Sequence, residues 1–243
     1  MLSGLTRKKL PFDYRVKYSG RKTMAIHICH DGVEVRAPLG ACSRTIHQFV
    51  VDKSGWVERQ LADQAEKRQH LFSMNDGGAI RFMGTEYEIR YLTAIKATVQ
   101  LSHGSINIHI PGARMASCTQ SELNQIAKAQ FEAWLRKQAR HYMVPVTENY
   151  ARQLGLSDRL NQVRFRKTRS KWGHCSSRGT IQFNWQIMLA PVSVIDYLVV
   201  HEVCHLRYMN HSPQYWQLVG SVCPGYREHD RWLKENEYRL QNY

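Results

Sequence analysis

The stretch His201-Glu202-Val203-Cys204-His205, followed by His211, has the side chains and spacing of a hydrolytic metal site with its own base. On an α-helix, residues four apart lie one above the other, so the imidazoles of His201 and His205 can close on a single ion. Glu202 sits roughly 100° round from His201, beside the ion and not on it. A general base belongs there, because zinc lowers the pKa of a bound water towards ~7 and a neighbouring carboxylate can then take the proton. His211 supplies a third ligand if the helix ends between 205 and 211, which leaves the fourth position open. Asn210 tolerates a left-handed C-terminal position, Ser212 can cap a new helix, and Pro213 suits that helix's first turn.

The competing reading is two core histidines and a surface one. His-Glu-x-x-His is expected by chance in roughly 0.03 chains of this length and composition, and a third His at a fixed offset makes coincidence rarer still. Val194, Ile195, Leu198 and Val199 form the helix's apolar stripe, and His201, Glu202 and His205 continue it. Three polar groups then point inward, where they need partners or a metal. No further His or Cys follows at matching spacing, so the site reads as catalytic and not as a closed structural one.

The elements that must position this site alternate between strand and helix patterns. Tyr14, Val16 and Tyr18, then Met24, Ile26 and Ile28, then Val33 and Val35 after the turn His30-Asp31-Gly32 read as a β-meander. Ser43 looks like a helix cap, and a charged surface helix follows from Trp56 to His70. Alternation returns in Ile80 to Tyr91 and in Val99 to Ile110, which suggests more antiparallel strands. Pro111 to Thr119 is the best candidate linker. A long amphipathic helix follows from Ser121 to about Tyr142, and a separate one after Pro145. Ile181, Phe183, Trp185 and Ile187 alternate as a strand that leads into the metal helix at Pro191 or Val192.

The 243 residues suffice for a substantial core, and 22% charged with 43% hydrophobic residues is globular composition,. No apolar run approaches the ~18 residues of a membrane span, and the basic Arg7-Lys8-Lys9 is followed by no apolar segment, so the reading is neither secreted nor membrane-spanning. Six cysteines without C-x-x-C spacing favour reduced thiols in a cytoplasm,. The net charge of +14 is spread over both halves and would attract polyanions by long-range steering, though a merely soluble cationic surface fits equally well,. Its densest part is Arg159 to Arg178, with seven Lys and Arg and no acid. Arg164 and Arg166 fall on one face of an extended chain and Lys167, Arg169 and Lys171 on the other, so the segment reads as an exposed edge or loop.

The run Phe165-Arg166-Lys167-Thr168-Arg169-Ser170-Lys171-Trp172-Gly173-His174-Cys175-Ser176-Ser177, with Asn184-Trp185, the metal motif, Asn210-His211-Ser212, Tyr215-Trp216 and Trp232-Leu233-Lys234, resembles the YgjP-like metal-dependent hydrolase family. That family is related to the SprT-like and WLM zinc metallopeptidases. The resemblance implies a zincin fold with His201, His205 and His211 as zinc ligands and Glu202 as base. His174 departs from the family pattern, where a small residue is expected.

The expectation is an α+β protein with a β-rich region over 1–115 and a zincin-like catalytic domain over 120–243, acting as a zinc-dependent peptidase on a peptide or protein. Arg166, Arg169, Lys171 and Asn184 are the candidate substrate contacts. The alternatives are hydrolysis of a nucleoside triphosphate, with the basic segment as phosphate clamp, and a nucleic-acid-associated peptidase. The motif has no second carboxylate cluster for Mg²⁺ or Mn²⁺ nearby, which favours the peptidase. An edge strand for the substrate is sought in Ile181 to Ile187 or in the basic segment before it. Tyr208, Tyr215, Tyr226, Arg227 and His229 are candidate oxyanion donors. Cys204 reads as a buried small hydrophobe, Cys175 as a conceivable inhibitory thiolate, and Trp172, Trp185, Trp216 and Trp232 as core or binding platforms.

Overall fold

In a computed structural model of the protein, residues 10–29, 32–69, 72–168 and 170–243 are described. The turn at His30-Asp31, the basic Arg7, Lys8 and Lys9, and Arg169 lie outside the described residues. The chain forms two compact units, Met1–His70 and Leu71–Tyr243. The division falls earlier than composition suggests, because residues 112–117 form a short helix packed on the preceding strand and not a linker.

In the first unit, β1 (Tyr14–Ser19), β2 (Ala25–Cys29) and β3 (Gly32–Pro38) form a sheet of order β1-β3-β2. This is not the expected meander: β3 pairs antiparallel with β2 and parallel with β1. Val33, Val35 and Ala37 are all buried, and the most apolar strand takes the centre, where both rows of its backbone groups are satisfied,. Helix α1 (Ser43–Asp52) buries Ile46 and Val50 against this sheet, and α2 (Ser54–Gln69) follows. The α1 cap is Cys42, whose sulfur accepts from the Thr45 amide at 3.5 Å, one residue ahead of the expected Ser43.

The second unit repeats the same strand plan twice. Strands β4 (Ala79–Phe82), β5 (Thr85–Ala94), β6 (Thr98–Ser102) and β7 (Ser105–Pro111) order as β4-β5-β7-β6, with β7 parallel to β5 and antiparallel to β6. Strands β8 (Gln162–Arg166), β9 (Gly173–Cys175) and β10 (Thr180–Asn184) order as β8-β10-β9, with β10 parallel to β8 and antiparallel to β9. In all three sheets a hairpin's second strand inserts beside an earlier strand. Each time the inserted strand is the apolar one, with Ile106, Ile108 and Ile110 in β7 and Ile181 and Phe183 in β10 fully buried. Alternation shows a strand's faces but not its neighbours, so the expectation of plain antiparallel sheets fails here.

After the short α3 (Gly112–Ser117), helix α4 (Gln120–Gln153) is the spine of this unit. Thr119 and Glu122 cap it reciprocally: the Thr119 amide donates to Glu122 Oε2 at 2.8 Å, and the Glu122 amide to Thr119 Oγ1 at 3.4 Å,. The expected stop at Pro145 does not occur. Pro145 and His141 are both exposed, so water can take the one carbonyl that proline leaves without a partner, while the buried Thr147 hydroxyl donates to the Met143 carbonyl at 2.6 Å,. Buried residues recur every fourth position from Leu123 to Ala151. At 3.6 residues per turn such a line drifts about 40° per step, which lets one helix pack on β6, β7, β8 and the helix α5 over Val192–Cys204,.

Helix α5 (Val192–Cys204) is buried nearly all round, beyond the single stripe that the sequence suggests. The turn between β4 and β5 fixes its start. There Met83 and Gly84 both have positive φ, the Met83 amide donates to the Met188 carbonyl at 2.8 Å, and a Cβ on Gly84 would stand 3.2 Å from Pro191 Cα,. The strand expected over Ile181 to Ile187 ends at Asn184, and Trp185–Leu189 is a buried 3₁₀ turn. Helices α6 (Pro213–Val222) and α7 (Tyr226–Gln241) complete the unit, α6 capped by Ser212 with Pro213 in its first turn. Among the described residues no helix is long and apolar enough to cross a membrane.

Candidate metal centre

Helix α5 carries His201 and Glu202 in its last turn and ends at Cys204, so that His205 stands at its C-cap. Asn210 keeps a negative φ, so the chain turns just after His205 and not through a left-handed Asn210. The loop between α5 and α6 then swings His211 back over α5. Ligand atoms of His201, His205 and His211 all lie within 4.8 Å of one another. His211 Nε2 and His201 Nε2 are 3.2 Å apart. Two nitrogens held ~2.0–2.1 Å from a tetrahedral ion stand about 3.3 Å apart, so this pair already has the required spacing.

The hydrogen bonds around the imidazoles aim their free lone pairs at one point. His205 Nδ1–H donates to the Tyr208 carbonyl at 2.9 Å, leaving Nε2 free to bind,. On His201, Nδ1 faces the Tyr197 hydroxyl at 3.5 Å, and that hydroxyl donates to Asp230 Oδ1 at 3.3 Å. Asp230 is held in turn by Lys234 Nζ at 2.6 Å. Burial lowers the pKa of His201 to about 3, helped by His205 and His211, and burial lowers that of His205 as well. The neutral imidazoles that result are the form that ligates.

An aromatic wall fixes the ring planes. Tyr215 stacks on His205, with centroids 4.5 Å apart, and its hydroxyl donates to the His201 carbonyl at 3.0 Å. Trp216 lies parallel to the exposed His211 ring at 5.4 Å, and Tyr226 stacks on the outer face of Trp216 at 5.2 Å. Tyr197, Tyr215, Trp216 and Asp230 thus orient the triad. Tyr215 and Trp216 were among the residues that carry the family resemblance, whereas Tyr197 and Asp230 were not anticipated; of these two only Tyr197 has a local signal, one turn before His201 on the same helix.

Glu202 is 3% exposed, and its Oε2 has no hydrogen-bond partner. Burial pushes its pKa up to about 8, against the opposing charge of Lys171. Gly173 in β9 lies flat on this carboxylate: an added Cβ would come within 2.6 Å of Glu202 Cγ and Cδ and closer still to Oε1. A buried carboxylate oxygen with no partner beside three converging imidazoles fits a divalent cation with a substrate or water between them. Cys175 is buried next to Glu202, and burial together with that carboxylate pushes its thiol up to about 12, which makes it a poor thiolate ligand,. Cys204 is buried with Tyr197, Val200, Tyr215 and Val219, as expected of a small hydrophobe.

The other anticipated residues scatter. Lys171 is exposed and its charge reaches Glu202, while Arg166 sits on β8, the far edge of the sheet from β9. Arg164 and Arg166 point out from a half-buried β8 whose inner residues are Val163 and Phe165, so the basic run is an edge strand that continues as a loop. Lys167 is engaged by Glu132 at 2.8 Å. Asn184 is 1% exposed: its Nδ2 donates to the Thr168 carbonyl at 3.0 Å and its Oδ1 accepts from the Gln186 amide at 3.1 Å, so both ends serve the fold. His174 is exposed on β9, and its charge is felt at His205. Of the donor candidates, the Tyr215 hydroxyl donates to the His201 carbonyl, while the Tyr226 hydroxyl accepts from Arg227 Nε at 3.2 Å. Trp172 and Trp185 belong to the core. The substrate strand expected at Ile181 to Ile187 is the middle of its sheet, and β9 is the edge.

A helix that presents two histidines and a glutamate, with a third histidine folded back from the next loop, defines a metal-dependent hydrolase of the metallopeptidase class. The chain belongs to the YgjP-like family: the family model described as "YgjP-like, metallopeptidase domain" matches residues 22–236. Among solved structures, the crystal structure of the metallopeptidase zymogen of Pyrococcus abyssi abylysin is similar at 25% identity over 39% of this chain and 95% of that one. Its TM-score of 0.36 is too low for the likeness to bear on fold or activity. No curated protein matches.

Proposed function

We propose that the protein is a zinc-dependent peptidase in which His201, His205 and His211 hold the ion and Glu202 is the general base. The observation that carries this reading is the buried Glu202 carboxylate, packed against Gly173 with its Oε2 left without a partner, on the helix that carries two of three imidazoles whose ligand atoms converge within 4.8 Å. When bound, the ion would acidify a water and polarise the carbonyl to be attacked. Glu202 takes the proton from the attacking water and returns it to the leaving amine. Gly173 keeps the carboxylate in line, while Tyr197 and the Tyr208 carbonyl hold the imidazoles in the ligating tautomer,. The outer edge of β9 has no strand partner among the described residues, and Gly173 of the same strand packs against Glu202, a geometry that suits an extended peptide added as a further strand,. Cys42, Cys118, Cys175, Cys204 and Cys223 are free thiols, which favours a reducing compartment such as the cytoplasm,.

The test is zinc content and hydrolysis, measured together on wild type and Glu202→Gln with an unfolded polypeptide and with nucleoside triphosphates. Wild type should carry about one zinc and cut the polypeptide. Glu202→Gln should keep zinc and fold and lose ~10² or more in turnover. Cleavage of the triphosphates with none of the polypeptide would replace this reading by that of a nucleotide hydrolase.

A further inference from the structure

Beside the metal centre lies a cavity of about 490 Å³. Its lining includes the guanidinium-bearing Arg159, Arg178 and Arg207, the hydroxyl-bearing Ser176 and Ser177, and a single acid, Asp158. Three segments form it. One is the turn that follows β9, whose first residue Ser176 adjoins Cys175. Another is the loop after the second histidine, beginning at Leu206, and the third is the 3₁₀ turn that ends at Asp158-Arg159.

We propose that this cavity is an anion subsite that selects peptides carrying an acidic side chain close to the bond that is cut. The inference rests on the peptidase reading and names its substrate class. Three cations against one carboxylate leave an excess of two positive charges in a concave site. Arg178 and Arg207 have no ion-pair partner among the described residues. All three arginines are exposed, so their guanidinium groups are open to a ligand, and such groups bind carboxylates with paired N–H donors,.

The walls are also tied in place, which separates this recess from a chance cluster on a mobile surface. Arg159 Nη1 donates to the Leu206 carbonyl at 3.2 Å, bridging one wall to the other. Gly179 has φ +75° and packs directly on the Arg159 carbonyl, and its own carbonyl accepts the Asn161 amide at 2.9 Å. Arg159 therefore braces the recess, leaving Arg178 and Arg207 as the groups that meet the ligand. A peptide laid along the edge of β9 runs past Ser176 towards this recess, so a side chain near the scissile bond reaches it.

The experiment uses the zinc-loaded full chain and internally quenched peptides with a single Glu walked along a neutral scaffold, each paired with its Gln counterpart and amidated at the C-terminus. At the preferred position the Glu peptide should exceed its Gln partner in kcat/KM by about tenfold, and the advantage should shrink as salt is raised. Arg207→Glu should erase or invert that ratio. Arg178→Gln, a milder change, should reduce it if Arg207→Glu fails to fold. The same peptides are also titrated against zinc-loaded Glu202→Gln by fluorescence anisotropy, so the preference is read without turnover. Equal Glu and Gln affinities there overturn the subsite even if peptides are cut. A Glu preference without cleavage by wild type upholds the subsite and points the failure at the peptidase reading. A preference that appears only with a free C-terminus overturns the side-chain assignment in favour of a terminal carboxylate.

Discussion

Gly173 and Glu202 meet across the gap between β9 and α5 so closely that a single methyl group would not fit between them. The Glu202 carboxylate is thus held by an absence of side chain on the edge strand. Gly173→Ala should displace Glu202, because the whole outer part of a buried side chain is in the way and no flexible tip can give. Hydrolysis should fall by ~10² or more, the scale of a misplaced general base, with zinc content unchanged. An alanine variant with wild-type turnover would show that Glu202 is not fixed by this contact.

Tyr197 meets His201 Nδ1 and in turn leans on Asp230. Tyr197→Phe keeps the ring in its packed place and removes only the oxygen. Zinc affinity, read by competition with a chelator of known strength, should weaken by about 10–100-fold. If affinity is unchanged while the melting temperature drops, the hydroxyl serves packing and not the ligand.

Asn184 should behave as a structural residue and not as a substrate contact. Asn184→Ala removes the bond to the Thr168 carbonyl and the cap on Gln186, and so should cost about 1–3 kcal/mol of stability in denaturant melts,. Unchanged stability combined with a raised KM would return it to the substrate site.

Pro145 interrupts the hydrogen bonding of α4 on an exposed face. Pro145→Ala restores the amide donor to the His141 carbonyl, and a net gain of roughly 1–2 kcal/mol is expected once the added freedom of the unfolded chain is discounted. Equal or lower stability of the alanine variant would mean that the helix is bent to suit the proline.

In the first unit, the hydrogen bond from Arg36 at 2.8 Å holds the Glu34 carboxyl below its ordinary value of 4.5, aided by the charges of Arg36, Arg15 and Lys17. A group whose folded pKa is depressed contributes stability that is present above the unfolded value and lost as pH falls through the folded one. Glu34→Gln should therefore lower the melting temperature at pH 7, and the gap to wild type should close below about pH 4. A gap that stays constant with pH would assign the loss to shape and not to charge.

Much of the metal centre could be read from the sequence, because its determinants are local. The spacing of His201, Glu202 and His205 needs only a helix to bring them to one face, and Ser212-Pro213 marks where the next helix begins. The buried Cys204 and the exposed basic edge at Arg164 and Arg166 follow from side-chain period alone. The order of strands does not, because alternation in Ile106 to Ile110 or Ile181 to Phe183 gives a strand's faces and leaves its neighbours open. Those neighbours were decided by which strand had the most apolar surface to bury. Pro145 looked like a helix end because its cost is local, whereas the packing that carries α4 through it is spread along 34 residues. Only the tertiary structure set Gly173 against Glu202, Asp230 behind Tyr197, and Asn184 under the basic loop, since each pair joins segments whose separation along the chain gives no pattern to read.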